Sequence, residues 1–315
     1  MITHNKINWP FIFKFSWKNI LFSLSVTVLA TVLHFNYGVN SWQIPMAIIA
    51  TLGTALAIIL GFRNGSAYDR WWEARKIWGG MVNDSRSYAR QVLSMINLDN
   101  ANDPETIKLK EIQRDIVNTH IGFINALKLQ LRGIADQDMW NDKVYSTLNE
   151  HTLAQVRDKS NKATQLLIQQ GKKLEDCQRA GLIDDFRHMQ LDNTLTRFSD
   201  YQGKSERIKG TPFPKAYELF NSILLDLFIL FLPFALLPIF DQMNGWWLVF
   251  PITVMISWAF YSIHRLGILI ANPFENFRWD VPLDAICNTI EIDMLEAVES
   301  DVIPEKLKPV DGVLM

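Results

Sequence analysis

Gly61-Phe62-Arg63-Asn64-Gly65-Ser66-Ala67-Tyr68-Asp69-Arg70-Trp71-Trp72-Glu73-Ala74-Arg75 decides how the rest of the chain is read. It closes an apolar run, Trp42–Gly61, long enough to cross a bilayer at about 1.5 Å of rise per residue. It then turns abruptly into helix-compatible sequence crowded with Arg, Asp, Glu and Trp. A helix that leaves the membrane and continues into the cytosol can build a passage that is apolar at one depth and charged just below. That combination points to conduction more readily than to catalysis.

Working outward, the apolar residues gather in two blocks, each split into a hairpin. Asn19–Tyr37 and Trp42–Phe62 flank the break Gly38-Val39-Asn40-Ser41; Tyr217–Phe240 and Trp246–Ile270 flank Asp241-Gln242-Met243-Asn244-Gly245. Four spans follow, with Pro45, Pro233, Pro238 and Pro251 tolerated as membrane helices allow. The competing reading of the first block as a cleavable signal peptide lacks a small-x-small site, and a second apolar run follows at once. Neither short break contains Lys or Arg. The opposite ends carry Lys6, Lys14 and Lys18, then Arg63, Arg70, Arg75 and Lys76, then Lys204, Arg207, Lys209 and Lys215, then Arg265 and Arg278. The positive-inside rule therefore puts both termini and the middle of the chain in the cytosol. Tyr37, Trp42, Trp246 and Trp247 would form an outer aromatic belt, with Trp9 and Trp17 at the inner interface.

The expected organisation is an N-terminal segment with a first hairpin over 1–62, a helical cytosolic lobe over 63–216, a second hairpin over 217–270 and a cytosolic tail over 271–315. The lobe shows no strand-like alternation and reads as Ser66–Ile96, Pro104–Arg132, Lys143–Gly171 and Leu182–Tyr201, the last broken by Gln202-Gly203-Lys204. In the tail, Leu283–Ser300 is a helix with Ile286, Ile290, Met294 and Ala297 on one face, expected to dock on the lobe or a neighbouring subunit. The fold class is an all-α membrane protein. A net charge of −2 suggests no polyanionic partner, and so no nucleic acid. The two cysteines, Cys177 and Cys287, fall in cytosolic segments and lack metal-ligand spacing, so no disulfide and no metal is expected.

The second span carries two stripes at four-residue spacing. Gly53, Ala57 and Gly61 form a small-xxx-small pattern that lets helices approach closely. Thr54, Ile58 and Phe62, one residue on, can point elsewhere, and in a ring of subunits would stack Thr, Ile and Phe rings around an axis that gates by dewetting. The plainer alternative is that Ile58 and Phe62 face lipid. Below them, the charges and Trp71 and Trp72 could be interfacial anchors with local pairs such as Arg70 with Glu73. Asp226 lies inside the third span, where a carboxylate is costly and faces an ion path or a structural partner. Enzyme readings rest on His34 and His264 as haem ligands between spans, or on Asp69 with Glu73, or Asp184 with Asp185, as a metal-binding pair for lipid-diphosphate chemistry. No Walker loop, nucleophile elbow or zinc-type cluster occurs.

Gly61-Phe62 followed by Arg70-Trp71-Trp72-Glu73, joined to Asn272-Pro273-Phe274 after the fourth span, resembles the bestrophin family, and specifically its bacterial branch. The resemblance covers nearly the whole chain. It implies a ring-shaped homo-oligomer, a pentamer, in the bacterial inner membrane, conducting small monovalent ions through one axial pore without a cofactor. By the family's pattern the neck falls at Thr54, Ile58 and Phe62, and a cytosolic aperture at Ile183. Thr54 departs from the bulky apolar residue usual there, which implies a wider or wetter upper neck. Eukaryotic members bind calcium soon after Asn-Pro-Phe. Here Glu275-Asn276-Phe277-Arg278-Trp279-Asp280 offers only two acids, too few for a cation that takes six or more oxygens. The expectation is no calcium clasp and a conductance insensitive to chelators.

Overall fold

A computed structural model describes residues 9–36, 44–98 and 103–314. The expected break at Gly38–Ser41, together with Tyr37 and Trp42, lies outside the described residues. The chain is helical, with no strand among the described residues beyond an isolated bridge between Val310 and Val313. In order the helices are α1 (Trp9–Asn36), α2 (Met46–Met95), α3 (Asp103–Arg132), α4 (Gln137–Lys143), α5 (Glu150–Val156), α6 (Lys162–Arg179), α7 (Asp185–Gly210), α8 (Lys215–Gln242), α9 (Val249–Ile270) and α10 (Leu283–Ala297).

Two compact units result. One contains the described residues up to Arg70 with Pro212–Asn272; the other contains Trp71–Thr211 and the chain from Pro273 on. The first holds the apolar helices. Segments Ser16–Asn36, Met46–Met95, Lys215–Gln242 and Trp246–Ile270 are long and apolar enough to cross a membrane by length and composition. Its core joins Ile49, Leu56 and Leu60 of α2 to Leu225, Phe228, Ile229 and Leu232 of α8 and Val249 of α9. The break between α8 and α9 is a left-handed cap: Asn244 takes φ 54°, and the Gly245 amide donates to the Phe240 carbonyl at 2.8 Å. Pro251 falls in the first turn of α9, where its missing N–H has no partner to lose. Pro45 precedes α2 rather than interrupting it, its carbonyl accepting from the Ile48 amide at 3.0 Å.

The second unit packs around the buried aromatics Trp78, Tyr88, Phe123 and Phe198. His120 sits among them, 4.4 Å ring to ring from Phe198, bonded to Ser85 at 3.0 Å and Gln170 at 3.2 Å. Burial depresses its pKa to about 3, so it is neutral core. The tail helix α10 packs on α3 through Ile286, Ile290 and Met294, with Ala297 at the edge. Lys128 and Arg132 of α3 reach Asp284 at 3.1 and 2.6 Å. Burial alone would raise that carboxyl, but the two cations outweigh it and hold it below the ordinary carboxylate range.

Two lobe expectations are corrected. Lys143–Gly171 is not one helix: Asn149 and Asn161 each accept from an amide three residues on, at 2.8 and 3.0 Å, so α5 and α6 start separately. The helix expected at Leu182–Tyr201 begins later and ends later. Gly181 (φ 72°) closes α6 and Asp184 caps α7, accepting from the Arg187 amide at 2.8 Å. The Gln202-Gly203-Lys204 stretch does not break α7, because Gln202 is buried and bonded to Thr164 at 2.7 Å.

Candidate functional site

The apolar half of α2 has two opposed faces. At 100° per residue, Ile49, Leu56, Leu60 and Ala67 fall within about 20° of one line, and all are buried. Thr54, Ile58 and Phe62 fall within about 40° of the opposite line. Ile58 is 54 % exposed and Phe62 73 %. Thr54 is also exposed, and its hydroxyl donates to the Ala50 carbonyl at 2.8 Å. The polar group of Thr54 is thus already satisfied by its own helix, which leaves its methyl to join the apolar stripe. The small-residue stripe behaves differently from its expected role. A Cβ on Gly53 would come 3.0 Å from Phe228, so Gly53 makes a close approach to α8, whereas Ala57 is exposed and Gly61 meets open space.

Directly behind Phe62 stands Arg63, 1 % exposed. Its Nη2 donates to Glu218 of α8 at 2.7 Å, and its guanidinium lies 5.1 Å over the Phe213 ring. The neighbouring Asn64 donates to the Ile263 carbonyl at 2.9 Å. Rather than anchoring at an interface or pairing along its own helix, Arg63 is buried and paired with α8. The signal that could have shown this is Glu218, an acid at the cytosolic end of the third span, set against Arg63 at the corresponding end of the second.

Further along α2, Trp71 donates from its indole to the Trp279 carbonyl at 2.9 Å, and its ring stacks on Trp72 at 6.3 Å. Glu73 accepts from Arg207 at 2.6 Å. Arg70 is half-buried at the end of the apolar unit. After α9, Asn272 is half-buried, while Pro273 and Phe274 are buried; the Pro273 carbonyl accepts from the Val281 amide at 3.2 Å. The motif residues following Arg70 therefore tie the start of the lobe to the loop that opens the tail. In that loop Glu275 is held by Lys209 at 2.7 Å, and Asp280 turns inward to accept from the Phe277 amide at 3.0 Å.

Ile183 is 5 % exposed and packs in the lobe core, so its side chain presents almost no surface from this chain to a passage. The apolar surface at the start of α7 belongs to Phe186, 80 % exposed, and Met189, 57 %. The turn that carries them is braced: the Asn97 amide donates to the Leu182 carbonyl at 3.2 Å, and Arg187 donates to the Met95 carbonyl and to Asn97.

The enzyme readings lose their geometry. His34 bonds Asp241 at 2.9 Å and His264 bonds Ser222 at 3.1 Å. Those partners are nineteen residues apart in one helix, α8, which is about 28 Å of rise, so the two imidazoles cannot ligate one haem. Asp184 is spent as a cap and Asp185 accepts from Gln178. Among the described residues no three His, Cys, Asp or Glu side chains stand close enough to hold a metal ion. Asp226 finds the partner the sequence could not name: the Tyr261 hydroxyl donates to it at 2.5 Å. Both cysteines are buried free thiols, pushed by burial to about 11 for Cys177 and about 12 for Cys287.

Comparison with known proteins covers most of the chain. The profile described as Bacterial/Fungal Bestrophin protein matches residues 12–296. A voltage-dependent anion channel-forming protein of Escherichia coli, YneE, is 33 % identical over 291 residues, 92 % of this chain and 88 % of its own length. A similarly named protein of Nostoc is 30 % identical over 78 % of this chain and 76 % of its own. The crystal structure of a bacterial bestrophin homologue from Klebsiella pneumoniae superposes with a TM-score of 0.77 at 28 % identity, covering 90 % of this chain and 98 % of that one. This chain belongs to the bacterial and fungal bestrophin family.

Proposed function

We propose that this protein is an ion channel that passively conducts small monovalent ions, anions such as chloride in the first place, through an axial pore shared by five copies in the bacterial inner membrane. The observation that carries the reading is the face of α2 opposite its buried stripe. Thr54, Ile58 and Phe62 present a continuous apolar surface that none of the described residues covers. Arranged around an axis, these side chains form a neck with no charge and no spare hydrogen-bond donor, where water is held weakly. Thr54 is the least bulky of the three and gives the widest ring. The preference for anions follows the names of the relatives and not the neck, whose uncharged side chains cannot select a sign.

In this reading both termini and the unit beginning at Trp71 face the cytosol, in keeping with the Lys and Arg that flank the apolar helices at one end only. The cytosolic aperture lies at the turn between α6 and α7, with Ile183 as the buried support of the turn and Phe186 and Met189 as its exposed apolar surface. Arg70, Trp71, Trp72, Asn272, Pro273 and Phe274 are structural, joining the end of the pore helix to the tail. No catalytic step and no cofactor enters. The test is conductance in planar bilayers: Ile58→Ala and Phe62→Ala each widen the neck and raise the current several-fold. Unchanged currents in both variants would mean that another face lines the pore.

A further inference from the structure

A buried arginine with one carboxylate is an expensive object inside an apolar unit, and here it is underused as a donor. Among the described residues, Nε and Nη1 of Arg63 have no hydrogen-bond partner, and neither has Oδ1 of Asn64. Burying such groups costs free energy that the single ion pair with Glu218 does not obviously return. The surroundings show what the arrangement secures. Gly267 on α9 has no side chain where one would stand: a Cβ there would overlap both Nη1 of Arg63 and Oδ1 of Asn64. Nη1 therefore lies against the bare Gly267 backbone, where a side chain would stand at any other residue. Glu218 of α8 and the Phe213 ring complete the enclosure. Asn64, the next residue, ties α2 to α9 a second time through the Ile263 carbonyl.

We propose that Arg63, Glu218 and Gly267 form a latch that fixes the rotation of α2 and thereby the direction in which Phe62 and Ile58 point. The inference rests on the neck reading above and adds the residues that position it. Leu and Ile side chains on the buried stripe tolerate sliding and rotation, because apolar contact is non-directional. A guanidinium seated between a carboxylate, an aromatic ring and a glycine is directional: rotating α2 by one residue, about 100°, would carry Arg63 out of the slot and turn Phe62 from its present direction. Arg63 touches no ion in this scheme; it is a positioning residue that acts through Phe62.

The experiment uses the assembled channel in planar bilayers with cysteine introduced at the neck. Cys177 and Cys287 are buried with raised thiol pKa values, so they contribute no background reaction. In the otherwise unaltered chain, Phe62→Cys exposed to a water-soluble, charged thiol reagent loses current, while Leu60→Cys on the buried stripe does not. Combined with Arg63→Met, Gly267→Ala or the isosteric Glu218→Gln, Phe62→Cys loses its sensitivity, in full or in large part. Glu218→Gln removes the charge without changing shape, so it reports even where a bulkier variant does not assemble. Sensitivity of Phe62→Cys that is the same in the parent and in Glu218→Gln and Arg63→Met overturns the latch alone. An insensitive Phe62→Cys in the parent overturns the neck, and the latch with it.

Discussion

Asp280 shows how far a single residue can depart from what its chemistry suggests. It follows the Asn-Pro-Phe turn where a carboxylate invites a cation, yet it is 3 % exposed and faces inward. Burial lifts its carboxyl from the ordinary 3.8 to about 6, against the opposing pull of the backbone amides that donate to it. An acid whose folded pKa is raised contributes most when protonated. Its contribution is whole below about pH 4 and is lost as the pH climbs through about 6. Stability should fall across that window by about 3 kcal/mol. Asp280→Asn, which keeps the shape and the acceptor, should flatten the slope in thermal unfolding of the detergent-solubilised protein. A slope that survives the substitution would assign it to another group. At this scale the sequence was most legible for the shared exposed face of Thr54, Ile58 and Phe62, whose place in a neck is the proposal above, because four-residue spacing on a helix is a geometric fact. It was least legible for Arg63 and Asp226. Their partners, Glu218 and Tyr261, are 155 and 35 residues away, and only the folded chain brings them together.

At the scale of elements, the boundaries follow caps more than periodicity. Between Lys143 and Gly171 the apolar pattern is interrupted by six polar residues in a row, Arg157-Asp158-Lys159-Ser160-Asn161-Lys162, and α5 ends at Val156. The new start comes from Asn161, whose side-chain oxygen takes the Thr164 amide at 3.0 Å and also accepts from Gln130 and Gln202. Asn161→Ala removes a cap and its cross-links and should cost about 1–2 kcal/mol, read as a lower denaturation midpoint with an unchanged slope. A loss under about 0.3 kcal/mol would show that α6 starts without its cap. The same reasoning explains why α7 outlasts its expected end. Glycine at 203 weakens a helix locally, but Phe198, Gln202 and Ser205 are buried, and their packing outweighs the propensity. Uninterrupted hydrophobicity is the strongest signal a sequence carries, and α8 and α9 fall within three residues of Tyr217–Phe240 and Trp246–Ile270, whereas α1 begins at Trp9, ten residues before Asn19. The boundary at Arg63 also departs. The sequence puts the end of the apolar unit there, where charge begins. The compact unit runs on to Arg70, because Arg63 is buried against α8 and α9 and Ala67 is buried on the same stripe.

For the molecule as a whole, the decisive property is what a single copy leaves uncovered. Ile48, Ile58 and Phe62 of α2, Leu219, Phe220 and Ile223 of α8, and Met255 and Leu266 of α9 are all largely exposed. Lipid can cover such residues on helices at the outside of an assembly. It has no reason to select the one stripe that stands opposite the buried face of α2 and ends in Phe62, just before a buried cation. In the ring of copies proposed above, that stripe would share an axis and its uncovered surface would become a neck. Neither the number of copies nor the sign of the ion was legible from local chemistry. The first depends on angles between subunits and the second on fields summed over the assembly, and neither is encoded in spacing along one helix. The central claim is conduction. It is tested most directly by the reversal potential of purified, reconstituted protein in planar bilayers under a sodium chloride gradient. The account predicts a reproducible current that reverses near the chloride equilibrium potential and grows in Ile58→Ala. Reversal at the sodium potential would contradict the anion assignment, and electrical silence in both the parent and the Ile58→Ala ring would contradict the channel itself.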